Sequence, residues 1–151
     1  MKLAEALMER AAMQKRLGEL RDRIAETTKT GEGQAPPEDS EPLLREAMGI
    51  MDDVGALMVR INRSNNVAKL DDGRPLAEAI TERDSIIAKQ KLLRDAAIST
   101  RRPDNRWGHL AREQIVVDVK KLYKQADDLG ERARKLNMRI QLVNWSFDLV
   151  D

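Results

Sequence analysis

Residues 119–143 read VKKLYKQADDLGERARKLNMRIQLV, and this stretch decides the fold class. Its apolar residues recur in alternating steps of three and four, which is the spacing of a helix that buries one continuous seam. Asp118 stands directly before the stretch and has a short acceptor side chain of the kind that favours a helix start. We therefore expect a helix over residues 118–144. Its seam consists of Val119, Leu122, Ala126, Leu129, Ala133, Leu136, Ile140 and Val143.

Three more stretches show helical spacing of their apolar residues, and turn-forming residues separate them. The expected architecture is all-α, with long antiparallel helices in a four-helix, coiled-coil-like bundle that forms a single domain over residues 1–151. The β-branched residues around position 116 add an expectation of short strands, because such side chains favour extended backbone. The predicted elements are helices over about 2–28, 41–65, 75–98 and 118–144, a flexible loop over 30–40, and possible short strands over 67–70 and 110–117.

The composition agrees with this architecture and excludes several functions. Charged residues make up 35% of the chain and aromatic residues only 3%, which is typical of long helices. The 27 basic and 26 acidic residues nearly cancel, which argues against a surface devoted to nucleic acid. No cysteine is present, so disulfides and thiolate metal sites are excluded. Charged residues interrupt any apolar segment near the start, so we expect a cytoplasmic protein without a membrane partner.

The second predicted helix carries two apolar rows that lie about 100° apart around its axis. A helix that packs on one side needs only one such row, so we expect this helix to contact neighbours on two sides. We therefore predict a homo-oligomer. The first row is Leu43, Ala47, Ile50, Val54, Leu57 and Ile61, and the second is Leu44, Met48, Met51, Gly55 and Met58, continued by Asn62 and Asn65.

Asn62 and Asn65 define the candidate site, because an amide on a core-facing row costs free energy unless it is hydrogen-bonded. In an up-down-up-down bundle, further polar residues would gather at the same end. The cluster has two interpretations: a site for a small anionic ligand or a partner, or a buried hydrogen-bond network that fixes register or oligomeric state. Its predicted members are Asn62, Arg63, Asn65, Asp72, Arg74, Arg83, Asn144 and Trp145.

The sequence offers little enzyme chemistry. It contains one histidine, His109, and has no nucleophile-plus-base set, Walker loop or dinucleotide-binding glycine pattern. We therefore expect no catalytic residues, no metal site and no cofactor. One basic loop with Trp107 could contact nucleic acid through phosphates and a stacked base, and the alternative is a solvated loop or an arm that docks on a neighbouring subunit. Its arginines are Arg101, Arg102, Arg106 and Arg112.

Five short motifs are spread over most of the chain: MKLAEAL at residues 1–7, RINRSN at 60–65, LDDGR at 70–74, ERD at 82–84 and NW at 144–145. Together they resemble a small bacterial family of helical proteins of unknown function that is often labelled "septicolysin". That label implies a pore-forming toxin, whereas the short, charged and aromatic-poor sequence predicts helices. We expect a non-catalytic cytoplasmic helical-bundle protein that self-assembles. The alternatives are a ligand-binding or weakly enzymatic protein that uses the polar cluster, and a nucleic-acid accessory protein that uses the basic loop.

Overall fold

The computed structural model describes residues 1–101 and 114–151, and in these residues the fold is all-α, as predicted. Each of the four helices begins and ends within two residues of its predicted bounds. The loop predicted over 30–40 lies outside the helices, apart from Ser40, which begins the second helix. The helices are α1 (Leu3–Thr27), α2 (Ser40–Val67), α3 (Leu76–Ser99) and α4 (Val119–Ser146).

The possible short strands stay a prediction: among the described residues Lys69 forms a single β-bridge, and 114–117 form no strand. Val67 is the last residue of α2, where the N–H of Ala68 donates to the carbonyl of Ser64 at 2.8 Å, and no strand follows over 68–70. Residues 114–117 are exposed and irregular, and 110–113 lie outside the described residues. β-branched residues favour strands only where a second strand can pair with them.

The chain divides into two compact units. Unit 1 comprises Met1–Lys69 with Leu142–Asp151, and unit 2 comprises Leu70–Gln141. The single domain expected from the length of the chain stays a prediction.

In unit 1, α1 packs against α2 through small and branched aliphatic residues. Leu17 and Leu20 of α1 form a buried cluster with Leu43 and Ala47 of α2. Asp39 caps the start of α2, since its carboxylate accepts a hydrogen bond from a backbone N–H in the first helical turn at 3.0 Å. Two ion pairs flank the cluster, Arg16 with Glu46 and Arg23 with Glu38, each at 2.8 Å.

Unit 2 begins with a tight turn and continues with α3 and most of α4. Gly73 has a φ of 83°, a left-handed conformation that glycine adopts at little cost, and its N–H donates to the carbonyl of Leu70. The predicted seam of α4 is confirmed, because each of its residues is buried or half-buried. Asp118 caps α4 as predicted, since its carboxylate accepts the N–H of Lys121 at 3.0 Å.

Candidate functional site

The two apolar rows of α2 have different environments. The first row faces the core, and its residues are buried or half-buried, as predicted. The second row does not face the core, because Leu17 and Leu20 of α1 pack on the first row instead. In the single chain the second row and Asn62 are therefore exposed, and the expected contact of this row with a neighbour stays a prediction. The exposed fractions are 44% for Leu44, 56% for Met48, 44% for Met51 and 37% for Met58.

The exposed second row makes a continuous apolar surface on one side of α2. It ends at Asn62, which is also exposed. Single exposed apolar residues are ordinary on protein surfaces, whereas a contiguous row of large ones indicates an interaction surface. We call this surface the methionine face. It consists of Leu44, Met48, Met51, Gly55, Met58 and Asn62.

The C-terminal end of α2 holds the last residues of the chain within unit 1. Ser64 is fully buried, and its hydroxyl donates to the carbonyl of Arg60 at 2.9 Å. The same hydroxyl accepts the N–H of Val150 at 2.9 Å. Arg60 forms an ion pair with Asp151 at 2.6 Å, and Arg63 donates to the Asp151 main-chain oxygen at 2.9 Å. Arg63 of the predicted cluster is thus engaged by the chain itself.

The first residues of the chain are held in the same way by the segment that follows α4. Lys2 and Asp148 form an isolated antiparallel bridge and an ion pair of 2.9 Å. The N–H of Leu3 donates to the carbonyl of Phe147 at 3.0 Å, and the N–H of Leu149 donates to the carbonyl of Met1 at 2.9 Å. These contacts and those of Ser64 give the segment a structural role in unit 1.

The remaining predicted members in unit 1 differ in their exposure. Asn65 is half-buried, whereas Asn62 and Trp145 are exposed. Asn144 is 4% exposed, and its Oδ1 has no hydrogen-bond partner among the described residues. Only Asn144 therefore has the burial that the hydrogen-bond-network interpretation requires of an amide.

The members in unit 2 belong to a network of arginines and carboxylates at the turn before α3. Arg74 donates to Asp72 at 3.0 Å and to Glu82 at 2.6 Å. Arg139 of α4 donates through Nε to Asp71 at 2.8 Å and through Nη2 to Asp72 at 2.7 Å. The network joins the turn to α4 and leaves no arginine of this group without a carboxylate.

The network lowers the pKa of Asp72 from its ordinary value of 3.8 to about 2. The hydrogen bond from Arg139 is the largest cause, and the backbone N–H of Arg74 is the next. The same contacts raise the pKa of Arg139, first through Asp72 and then through Asp71. These groups therefore stay charged at neutral pH, which suits a structural ion-pair network and does not suit proton transfer.

Arg83 interrupts the apolar row of α3, and its contacts explain why. Its side chain donates to Asp84 at 2.8 Å and to the side-chain oxygen of Asn137 on α4 at 3.1 Å. An arginine is tolerated there because its guanidinium reaches polar partners on both helices. The side chain is 22% exposed, so Arg83 serves the contact between α3 and α4.

The predicted polar cluster is therefore divided between the two units, and each part has local partners. In unit 2 the structure brings Asp72 and Arg74 together, whereas Arg83 has its own partners. Sequence reasoning missed Ser64 and Arg139. Ser64 continues the buried row of α2 one step beyond Ile61, and that spacing could have revealed it. No spacing points to Arg139, because its partners lie 67 and 68 positions away.

Of the four arginines of the basic loop, the structure describes Arg101. The guanidinium of Arg101 lies 5.8 Å from the ring centre of Tyr123, within the range of a cation–π contact. Arg102, Arg106, Arg112, Trp107 and His109 lie outside the described residues. The nucleic-acid interpretation of this loop stays a prediction.

Shallow cavities follow the α3–α4 pair of unit 2. One of them has a volume of about 560 Å³, and charged side chains such as Glu78, Glu82 and Arg132 line it together with Ile86 and Leu129. Within residues 1–101 and 114–151, no three histidine, cysteine or acidic residues come together in a group that could hold a metal ion. Among the same residues, no helix has the length and apolar character needed to cross a membrane.

The fold and these sites define a class of protein: an all-α chain of long helices with an exposed apolar face on α2. The chain belongs to a family of unknown function, DUF6847, whose model matches residues 10–149. It is similar to a functionally unknown conserved protein from Corynebacterium diphtheriae, known from a crystal structure, with 32% sequence identity and a TM-score of 0.80 over 99% of each chain. No curated protein matches the chain. The family of unknown function is thus confirmed, whereas the label "septicolysin" finds no support.

Proposed function

We propose that this protein is a non-catalytic helical protein that self-assembles, and that the methionine face is the surface through which it does so. The exposed row of large apolar residues on α2 carries the proposal. Burying such a row against a second copy removes apolar area from water at about 25 cal/mol per Å². A cytoplasmic location is part of the proposal and agrees with the lack of cysteine.

The side chains of the face suit a contact that forms between folded chains. Methionine is flexible and polarisable, so it adapts its shape to an opposing surface at little cost. The charged groups of the polar cluster support a ligand site less well. Arg63, Arg74 and Arg83 already donate to Asp151, Asp72 and Asp84, and an anionic ligand would have to compete with these oxygens.

The test is the mass of the protein in solution when the face carries charge. The double variant Met48→Glu with Met58→Glu keeps two good helix formers, so α2 should retain its structure. By light scattering at tens of micromolar, we expect the wild type at a multiple of 17.1 kDa and the variant at 17.1 kDa. Circular dichroism should show equal helix content in both proteins.

Leu92→Glu is the matched control, because Leu92 is 69% exposed and belongs to α3 of unit 2 rather than to the methionine face of α2. This variant should keep the wild-type mass. A wild type that is monomeric at these concentrations would overturn the proposal. So would an assembly that the double variant leaves intact.

A further inference from the structure

The methionine face has the spacing of a helix-pairing seam. From Leu44 to Asn62 its members follow one another in steps of four, three, four, three and four residues. That alternation averages 3.5 residues, the period at which two long helices keep one row in contact along their length. The face is therefore shaped for another helix rather than for a flat or irregular surface.

The charges of α2 favour one orientation of two copies. Residues 40–53 contain four acidic side chains and one basic side chain, whereas residues 54–67 contain two basic side chains and no acidic one. The chain itself engages part of these charges, since Arg60 and Arg63 contact Asp151 and Glu46 contacts Arg16, which leaves −2 on the first half and +1 on the second. Antiparallel helices place these oppositely charged halves of the two copies side by side. They also oppose the two helix dipoles. Parallel helices would place like charges side by side over the whole length.

The sizes of the side chains favour the same orientation. A Cβ added at Gly55 would meet no atom within 4 Å, so the surface above this residue is open. An antiparallel pair whose two-fold axis passes midway between Met51 and Gly55 places each Met51 opposite the Gly55 of the other copy. A parallel pair in register would place glycine on glycine and leave a gap in the seam, which forfeits packing contacts.

We infer that two copies of this chain pair through α2 in antiparallel orientation, with Met51 over Gly55 and Met48 opposite Met58. This inference rests on the proposed self-assembly and specifies its partner and geometry. Leu44 then lies opposite Asn62 at each end of the seam, where the amide stays in contact with water. The contact is isologous, so it closes on itself and yields a dimer rather than a fibre.

Cysteine cross-linking tests the orientation, and the native chain offers no background because it contains no cysteine. Two full-length proteins are needed, Met48→Cys and Met58→Cys. Each is oxidised alone and after mixing with the other under conditions that let subunits exchange. A disulfide needs Cα atoms about 4.4–6.8 Å apart. In the antiparallel pair, residue 48 of one copy and residue 48 of the other are offset by about 15 Å along the helices, and the same holds for residue 58.

We expect covalent dimer in the mixed sample and at most a tenth as much in either protein alone. The reverse pattern, with each protein cross-linking to itself, means parallel pairing and overturns the inference while the proposed assembly stands. A dimeric mass with no cross-link in any sample also overturns it. A monomeric mass for both cysteine proteins and the wild type removes the proposed function together with the inference.

Gly55→Leu and Gly49→Leu form a second, matched pair of variants. Both glycines lie in α2 with open space above them, but Gly49 is not a member of the methionine face. A leucine at position 55 fills the space that Met51 of the other copy needs, so we expect the dissociation constant of the dimer to rise at least tenfold. Gly49→Leu should leave the dissociation constant within a factor of two. Equal effects of the two variants on the dissociation constant would contradict pairing through the methionine face.

Discussion

Leu43 and Leu44 are neighbours in the chain with opposite environments, and replacing each by alanine separates folding from assembly. Leu43 is 7% exposed and belongs to the buried cluster of unit 1, whereas Leu44 is 44% exposed on the methionine face. Both substitutions remove the same three carbon atoms, and both give alanine, the best helix former. Any difference between the two variants therefore reports on the surroundings of the side chain.

The expected magnitudes follow from the burial of each side chain. Three buried carbons contribute about 2.4 kcal/mol at about 0.8 kcal/mol each, and the cavity left at position 43 raises the cost to about 2–5 kcal/mol. At position 44 nearly half of that area is already in water and no cavity forms, so the cost in the monomer is about 1 kcal/mol.

Urea unfolding followed by circular dichroism measures both values, at a protein concentration low enough for the chain to be monomeric. At higher concentration, light scattering should show a larger loss of dimer for Leu44→Ala than for Leu43→Ala, because only Leu44 belongs to the methionine face. Equal losses of unfolding free energy would refute the assignment of the two rows. So would a larger loss for Leu44→Ala.

Three further predictions concern single contacts. Ser64→Ala removes the acceptor of the Val150 N–H, so the free energy of unfolding should fall by about 1 kcal/mol and this amide should exchange its hydrogen faster, as measured by mass spectrometry. The folded-state pKa of Asp72 is depressed, so its contribution to stability is present above about pH 4 and lost as the pH falls towards 2. Urea unfolding between pH 2 and pH 5 should show this loss, and Asp72→Asn should reduce it. Gly49→Ala should stabilise the monomer by about 0.5–1 kcal/mol, because alanine favours the helix and its Cβ meets open space. Gly130→Ala should stabilise it less, because the new Cβ would lie 2.6 Å from the Gln90 side-chain nitrogen. Thermal melting curves measure both effects.

The helices could be predicted because their signal is local. The seam of α4 repeats without a gap over 25 residues, and short acceptor side chains mark the starts of α2 and α4. Over 67–70 the structure has only a single β-bridge at Lys69, for a reason that is not local. Val67 has a β-branched side chain, but it continues a helix whose end the carbonyl of Ser64 closes.

The candidate site could be predicted only in part, because α2 carries two rows of similar apolar character. Which row meets the core depends on where Leu17 and Leu20 of α1 pack, and no feature of α2 itself contains that information. Arg83 could be recognised as a polar residue in an apolar row, but its partner Asn137 lies 54 positions away. Long-range pairing of this kind is set by tertiary structure.

A substitution at Asn62 distinguishes two interpretations: a residue at the edge of an interface, and part of a hydrogen-bond network that fixes the oligomeric state. Asn62 stands at the exposed end of the methionine face, and in the antiparallel pair it lies opposite Leu44. Asn62→Leu would extend the apolar row by one position. We expect the dissociation constant of the dimer to fall about tenfold, since the added apolar burial contributes about 1.4 kcal/mol.

The monomer gives the control for this variant. Because Asn62 is exposed, its replacement should change the free energy of unfolding of the monomer by less than about 0.5 kcal/mol. A lock that fixes the oligomer through hydrogen bonds of the amide predicts the opposite outcome, which is loss of the defined assembly in sedimentation or light scattering. The proposed antiparallel pair favours the first result, because it places Asn62 opposite Leu44, whose side chain offers the amide no hydrogen-bond partner.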